Sequence, residues 1–173
     1  MEKILPRHMQ IAYDLIGTKE IIGTQHSPII MHWAKELGLD KIYTNDELAW
    51  CGLFFAYVMA KAGRRVVLPG NDRYDYLRAL KYQDVVNVVE VPEGQECVGD
   101  ILIFKRPEGG HIGFCASMSA DTYNVLGGNQ GNQVSLTNII KSRCVKRLRP
   151  IYITYQPYAA IKAAVGGESS NEA

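Results

Sequence analysis

The chain has 173 residues, 47% of them hydrophobic and 21% charged, the balance of one ordinary globular domain large enough to bury a core. A net charge of +1 gives no global electrostatic case for binding nucleic acid or inserting stably into a membrane. The four cysteines, at 51, 97, 115 and 144, contain no C-x-x-C pair, so a structural zinc site is not expected. No metal and no cofactor are expected for the chemistry read below.

The N-terminal residues Met1 to His8 lack the apolar run and small-residue cleavage site of a secretory signal. Synthesis in a reducing cytoplasm is therefore expected, where a disulfide framework does not form. Residues 8–17 predict a first helix, with Met9, Ile11, Ala12, Leu15 and Ile16 apolar and Gly17 closing it. The loop 18–26 carries Glu20, which reads first as a solvated carboxylate. Ser27 then serves as a cap and Pro28 as the first residue of a second helix running to Leu37. Its inward face is Ile29, Ile30, Trp33, Ala34 and Leu37, and His32 points away from it.

The third helix is the most telling stretch. After the acidic pair Asp46-Glu47 the chain is apolar from Leu48 to Ala60 and stops at Gly63. A helix apolar on every side is buried, and this one is too short to cross a bilayer. Beyond it, Arg65 to Pro69 reads as strand-like, and Asn71 as the cap of a helix from Asp72 to Tyr82 with Tyr76, Leu77 and Leu80 inward. From residue 85 the period becomes extended, with strands expected at 85–91, 99–105, 111–118, 122–127, 133–140 and 145–154. Helices followed by strands predict an α+β fold with the helices packed on an antiparallel sheet. Residues 1–158 form a single domain in this reading, and 159–173 an Ala-rich segment and disordered tail. The basic run Lys141 to Arg149 reads as a solvated strand edge.

Cys51 lies in the first turn of the buried helix, where free backbone N–H groups and the helix dipole favour a thiolate. A cysteine in an apolar helix is also ordinary packing. His111 opens a strand, where an imidazole beside a thiol could serve as base and then as acid. Asn129, in Gly127-Gly128-Asn129-Gln130, could orient that imidazole from the next strand's end. Each of the last two has its bland alternative, a strand-end histidine and a turn asparagine.

The order Trp50-Cys51, then Gly99-Asp100-Ile101 to Phe104, then Gly110-His111-Ile112-Gly113 resembles the papain-like cysteine hydrolases of peptidoglycan, the NlpC-type peptidases and CHAP amidases. The N-terminal Gly17 to Gly23, followed by Ser27-Pro28-Ile29-Ile30, is similar to a single-domain phage and bacterial subgroup. The resemblance covers most of residues 10–155. It implies a papain-like fold with Cys51 as nucleophile, His111 as base and Asn129 as third member, Gln130 being the alternative there. The Cys51 N–H and Asn45 would face the oxyanion and Trp50 would support the site. Asp46, Glu47 and Glu20 are candidates for binding substrate; Asp46 and Glu47 could hold a substrate ammonium or cap the helix, and capping is the favoured role for one of the two.

The resemblance further implies a monomer that cleaves a stem-peptide or muramoyl–alanine amide of peptidoglycan through a thioester. The setting it suggests is a phage endolysin made in the host cytoplasm and reaching the wall through holin pores or by injection. An acyltransferase on the same scaffold and a non-catalytic phage module are the competing readings. Cys115, on the His111 strand, is the next thiol to consider.

Overall fold

The computed structural model describes residues 5–70 and 72–151, where three α-helices precede a six-stranded antiparallel sheet, an α+β architecture. The helices are α1 (Arg7–Asp14), α2 (Pro28–Glu36) and α3 (Cys51–Lys61). The strands are β1 (Val88–Glu90), β2 (Ile101–Lys105), β3 (Gly110–Met118), β4 (Thr122–Gly127), β5 (Ser135–Ile140) and β6 (Cys144–Pro150). They lie in the order β1-β6-β2-β3-β4-β5. All six expected strands are present, though the first is cut to three residues. Residues 152–154, expected to continue the last strand, and the tail 159–173 lie outside the described residues.

α3 is the centre of the core. Its residues Leu53, Phe54, Phe55 and Val58 have no exposed surface, and it packs on β3 and β4 with α1 and α2 against its flanks. Such burial contributes about 1.5–3 kcal/mol per large side chain. The apolar run begins at Leu48, but the helix begins at Cys51. The chain is still turning through residues 46–48, which leaves Leu48 41% exposed, and Trp50 is the residue that precedes the first turn. At its other end the helix closes as its glycine predicts. Gly63 is left-handed (φ 72°), and the N–H groups of Gly63 and Arg64 bond back to Ala60 and Met59 at 3.0 and 2.8 Å.

Several local expectations give way to tertiary contacts. α1 stops at Asp14, short of Gly17, whose N–H instead donates to the Val134 carbonyl at 2.9 Å. Ile29 is 51% exposed, so the buried face of α2 narrows to Ile30, Trp33 and Ala34. Ser27 does precede α2 with Pro28 first in the helix, but its side chain makes no capping bond. The segment 65–69 forms no strand.

The helix expected from Asp72 to Tyr82 is instead two 3-10 helices, Arg73–Leu77 and Ala79–Asp84, broken at the extended residue Arg78. The cause is visible at Tyr82, whose hydroxyl donates to the carbonyls of Tyr76 (2.8 Å) and Gly52 (3.2 Å). The Tyr76 carbonyl is thereby held by a side chain rather than by the amide four residues on. The cap is the Asp72 carboxylate, which accepts from the Tyr74 N–H at 2.9 Å; Asn71 lies outside the described residues. The three side chains expected inward, Tyr76, Leu77 and Leu80, are half-buried against the core.

The basic run near the end of the chain is no solvated edge in its second half. β6 lies between β1 and β2, and Arg147 pairs with buried Glu96 (3.0 Å) and with Glu93 (2.7 Å). Arg149 grips both oxygens of Asp100 at 2.7 and 2.8 Å, and that carboxylate also accepts from the Cys97 N–H. Desolvation pushes the Asp100 carboxyl up, and Arg149 opposes it.

Candidate active site

The site is assembled where the start of α3 meets the start of β3. Gly52 lets the 3-10 helix Arg73–Leu77 approach that helix start: a side chain there would place its Cβ 2.7 Å from the Tyr76 carbonyl oxygen. The 3-10 segment therefore presses directly on the first turn of α3 and forms one wall of a cleft of about 370 Å³. Cys51, Ala49, Leu77, Leu80, Arg106 and Gly110 line it. Cys51 itself is only 3% exposed.

The helix start is expected to favour a thiolate, and the structure qualifies this. Burial pushes the Cys51 thiol up, which outweighs the Arg106 charge and the backbone N–H groups of Ile112, Gly52 and Cys51 that pull it down. Burial thus works against the thiolate here rather than for it. The helix that carries the thiol packs on β3, the strand of His111 and Ile112.

His111 is fully buried on β3, opposite Phe104 of β2. Its Nε2 lies 3.0 Å from the Gln130 side-chain oxygen. The Gln130 amide nitrogen donates to the carbonyls of Val125 (3.2 Å) and Ser135 (2.6 Å), which can only accept. The amide is therefore oriented, and its oxygen requires a proton on His111 Nε2. In the neutral ring the lone pair then sits on Nδ1, the nitrogen able to take a proton.

The structure thus brings Gln130, not Asn129, onto the imidazole. Asn129 has a left-handed backbone (φ 57°), and its Oδ1 is buried with no hydrogen-bond partner among the described residues. That left-handed turn swings residue 129 aside and presents residue 130 to the ring. The two preceding glycines also have a steric reason. A Cβ at Gly127 would lie 3.1 Å from His111 Nε2, and one at Gly128 only 2.5 Å from the Phe54 Cβ.

The other candidates divide between support and absence from the cleft. Trp50 is fully buried against Trp33, and its indole N–H donates to Glu20 at 3.2 Å. Glu20 is delivered there because residues 17–20 bond along residues 132–134. Its carboxylate is thus engaged by the tryptophan rather than solvated. Asp46 has no exposed surface and accepts from the Ile21 and Ser27 N–H groups and from the His26 ring at 2.8–3.0 Å. It is a tether between loops and not a group offered to substrate, nor does it cap α3. Although desolvation raises the Asp46 carboxyl, these hydrogen bonds together hold it below its ordinary value. Asn45 is half-buried and Glu47 exposed, and neither lines the cleft. Cys115 is buried, with its thiol pushed up by desolvation, and lies outside the cleft.

Gln130, Arg106 and the tethering role of Asp46 carry little local signal, because each depends on contacts with residues distant in sequence. Among the described residues no group of three or more His, Cys, Asp or Glu side chains could hold a metal, and no helix is long and apolar enough to cross a membrane. Comparison with known proteins found no matching family model, no matching curated protein and no matching solved structure.

Proposed function

We propose that the chain is a cysteine hydrolase of peptidoglycan amide bonds, built on a papain-like fold, with Cys51, His111 and Gln130 as its working residues. The observation that carries this reading is the Gln130–His111 hydrogen bond, which puts the ring proton on Nε2 and the lone pair of the neutral ring on Nδ1, on the strand that the Cys51 helix packs against. Peptidoglycan as the substrate rests on the order of the W-C, G-D and G-H-I-G motifs, not on the geometry.

The chemistry follows from a thiol that starts protonated. His111 Nδ1 takes the proton as Cys51 Sγ attacks the carbonyl carbon, forming a tetrahedral oxyanion beside the helix-start N–H of Cys51. The imidazolium, stabilised through Gln130, returns the proton to the departing amine as the C–N bond breaks. A thioester remains. His111 then draws a proton from water as the water oxygen attacks the thioester carbon, and returns it to the departing Cys51 sulfur as the C–S bond breaks, which releases the acid and restores the thiol.

The near-complete burial of Cys51 favours one other reading, a non-catalytic module in which the thiol is packing. Acid-quenching the protein during reaction with a stem peptide and measuring the mass of the Cys51 peptide separates the two. An added acyl mass on that peptide supports the hydrolase. A clean unmodified peptide, with no product formed, supports the module.

A further inference from the structure

Two halves of the candidate site arrive from distant parts of the chain, Cys51 on the start of α3 and Gln130 on the turn after β4. They meet at Trp50. It is the residue from which α3 starts, and the 127–130 turn rests on its ring so closely that a Cβ at Gly128 would lie 2.8 Å from its Cζ3. At the other end of the indole, the N–H donates to the Glu20 carboxylate at 3.2 Å. Glu20 in turn belongs to a segment laid along the continuation of that same turn. The Gly17 N–H donates to the Val134 carbonyl and the Val134 N–H to the Thr18 carbonyl, both at 2.9 Å, and the Glu20 N–H donates to the Asn132 carbonyl at 3.1 Å. Lys19 pairs antiparallel with Gln133 between them, and the Gln130 N–H closes the turn on the Gln133 carbonyl at 2.9 Å. The contacts form a circuit: from Gln130 to residues 132–134, across to residues 17–20, through the Glu20 carboxylate to Trp50, and along the chain to Cys51.

We infer that Glu20 is a positioning residue: by holding the Trp50 indole from the segment bonded to residues 132–134, it fixes where the Cys51 end of α3 stands relative to the turn that carries Gln130. What this alignment serves rests on the hydrolase reading, while the alignment itself is independent of turnover. The helix start has need of such a hold. Trp50 takes the cap position, where a small polar side chain would normally satisfy a first-turn N–H, and its donor-only indole makes no capping bond. The start of α3 is therefore tied down through the tryptophan ring instead. Trp50 is fully buried, so its N–H needs an acceptor, and a carboxylate oxygen is a stronger one than an amide oxygen. Glutamine in place of Glu20 would keep the geometry of the bond at reduced strength.

The test measures kcat and KM on a stem peptide, together with iodoacetamide alkylation of Cys51 and Cys115 resolved by peptide mass spectrometry, in wild type, Glu20→Ala and Glu20→Gln. In the alkylation an S–C bond forms, the C–I bond breaks, iodide leaves with its electron pair and the thiol proton passes to solvent. Glu20→Ala is expected to lower kcat by about tenfold and leave KM within about twofold, the pattern of lost alignment rather than of a lost substrate contact. It should also speed alkylation of Cys51, which is 3% exposed in the native protein, by about fivefold, because the helix start opens locally. Cys115, buried in the sheet, should react no faster. Glu20→Gln should recover most of both changes. An unchanged kcat and Cys51 rate in Glu20→Ala would overturn the inference. So would a raised KM with kcat kept, which would make Glu20 a substrate contact, or equal acceleration at Cys51 and Cys115, the mark of a general loss of stability. If Glu20→Ala does not fold, Trp50→Phe removes the indole N–H while keeping a ring, and an unchanged Cys51 rate in it overturns the inference. A Cys51 rate that depends on Glu20 in a protein that cleaves no stem peptide would sink the hydrolase reading alone.

Discussion

Gln130 fixes the chemistry of His111 by direction as well as by distance. Its oxygen meets Nε2 at 3.0 Å because its nitrogen is already committed to the Val125 and Ser135 carbonyls. The imidazole therefore has one tautomer available in its neutral form.

Residues 129 and 130 should consequently separate sharply under substitution. Gln130→Ala is expected to lower kcat by about a hundredfold or more, the scale of losing the group that orients a catalytic histidine. Asn129→Gly should keep activity within a few fold, since glycine accepts the left-handed backbone without strain. Steady-state kinetics on a stem peptide checks both. Equal losses in the two variants would contradict the assignment.

Asp46 predicts a stability effect with a defined pH sense. Its folded carboxyl lies below the ordinary 3.8, so its contribution is complete above that pH and is lost as pH falls through the lowered value. Asp46→Asn should cost about 1–3 kcal/mol at pH 7, because an amide nitrogen would face N–H donors. Denaturant unfolding measures this. A midpoint equal to wild type would show that the three hydrogen bonds are dispensable.

His8 gives a second, separate window. Burial pushes its imidazole down to about 4, against the partial opposition of its bond to the Gly99 carbonyl, while the unfolded ring titrates near 6.5. The unfolded chain binds the extra proton between these values, so stability falls as pH drops from 6.5 to 4, by about 3 kcal/mol in all. His8→Gln should flatten that slope in a melting series. An identical slope would place the acid sensitivity elsewhere.

Gly128 should tolerate no side chain. Gly128→Ala sets a Cβ 2.5 Å from Phe54 and 2.8 Å from the Trp50 ring, so the loop or α3 must move. A loss of about 1–3 kcal/mol is expected, the usual cost of overpacking. Thermal unfolding of the variant tests it, and an unchanged midpoint would show that the loop yields freely.

The helix–strand order is legible in the sequence because period and turn residues are local properties. Cys51 and His111 are legible for a related reason: one opens an apolar helix and the other a strand. The choice between Asn129 and Gln130 is not, since a single left-handed residue decides which side chain faces the ring. The roles of Asp46, Glu20 and Arg147 are hidden because their partners, Ser27, Trp50 and Glu96, lie far away along the chain. The break at Arg78 likewise depends on the Tyr82 hydroxyl taking up the Tyr76 carbonyl.

The most direct test of the central claim is digestion of purified peptidoglycan by wild type and by Cys51→Ala, followed by turbidity and fragment mass spectrometry. Wild type is expected to give defined fragments with new amine and carboxyl ends, and a folded Cys51→Ala none. Equal cleavage by the two proteins would remove Cys51 from the mechanism and contradict the account.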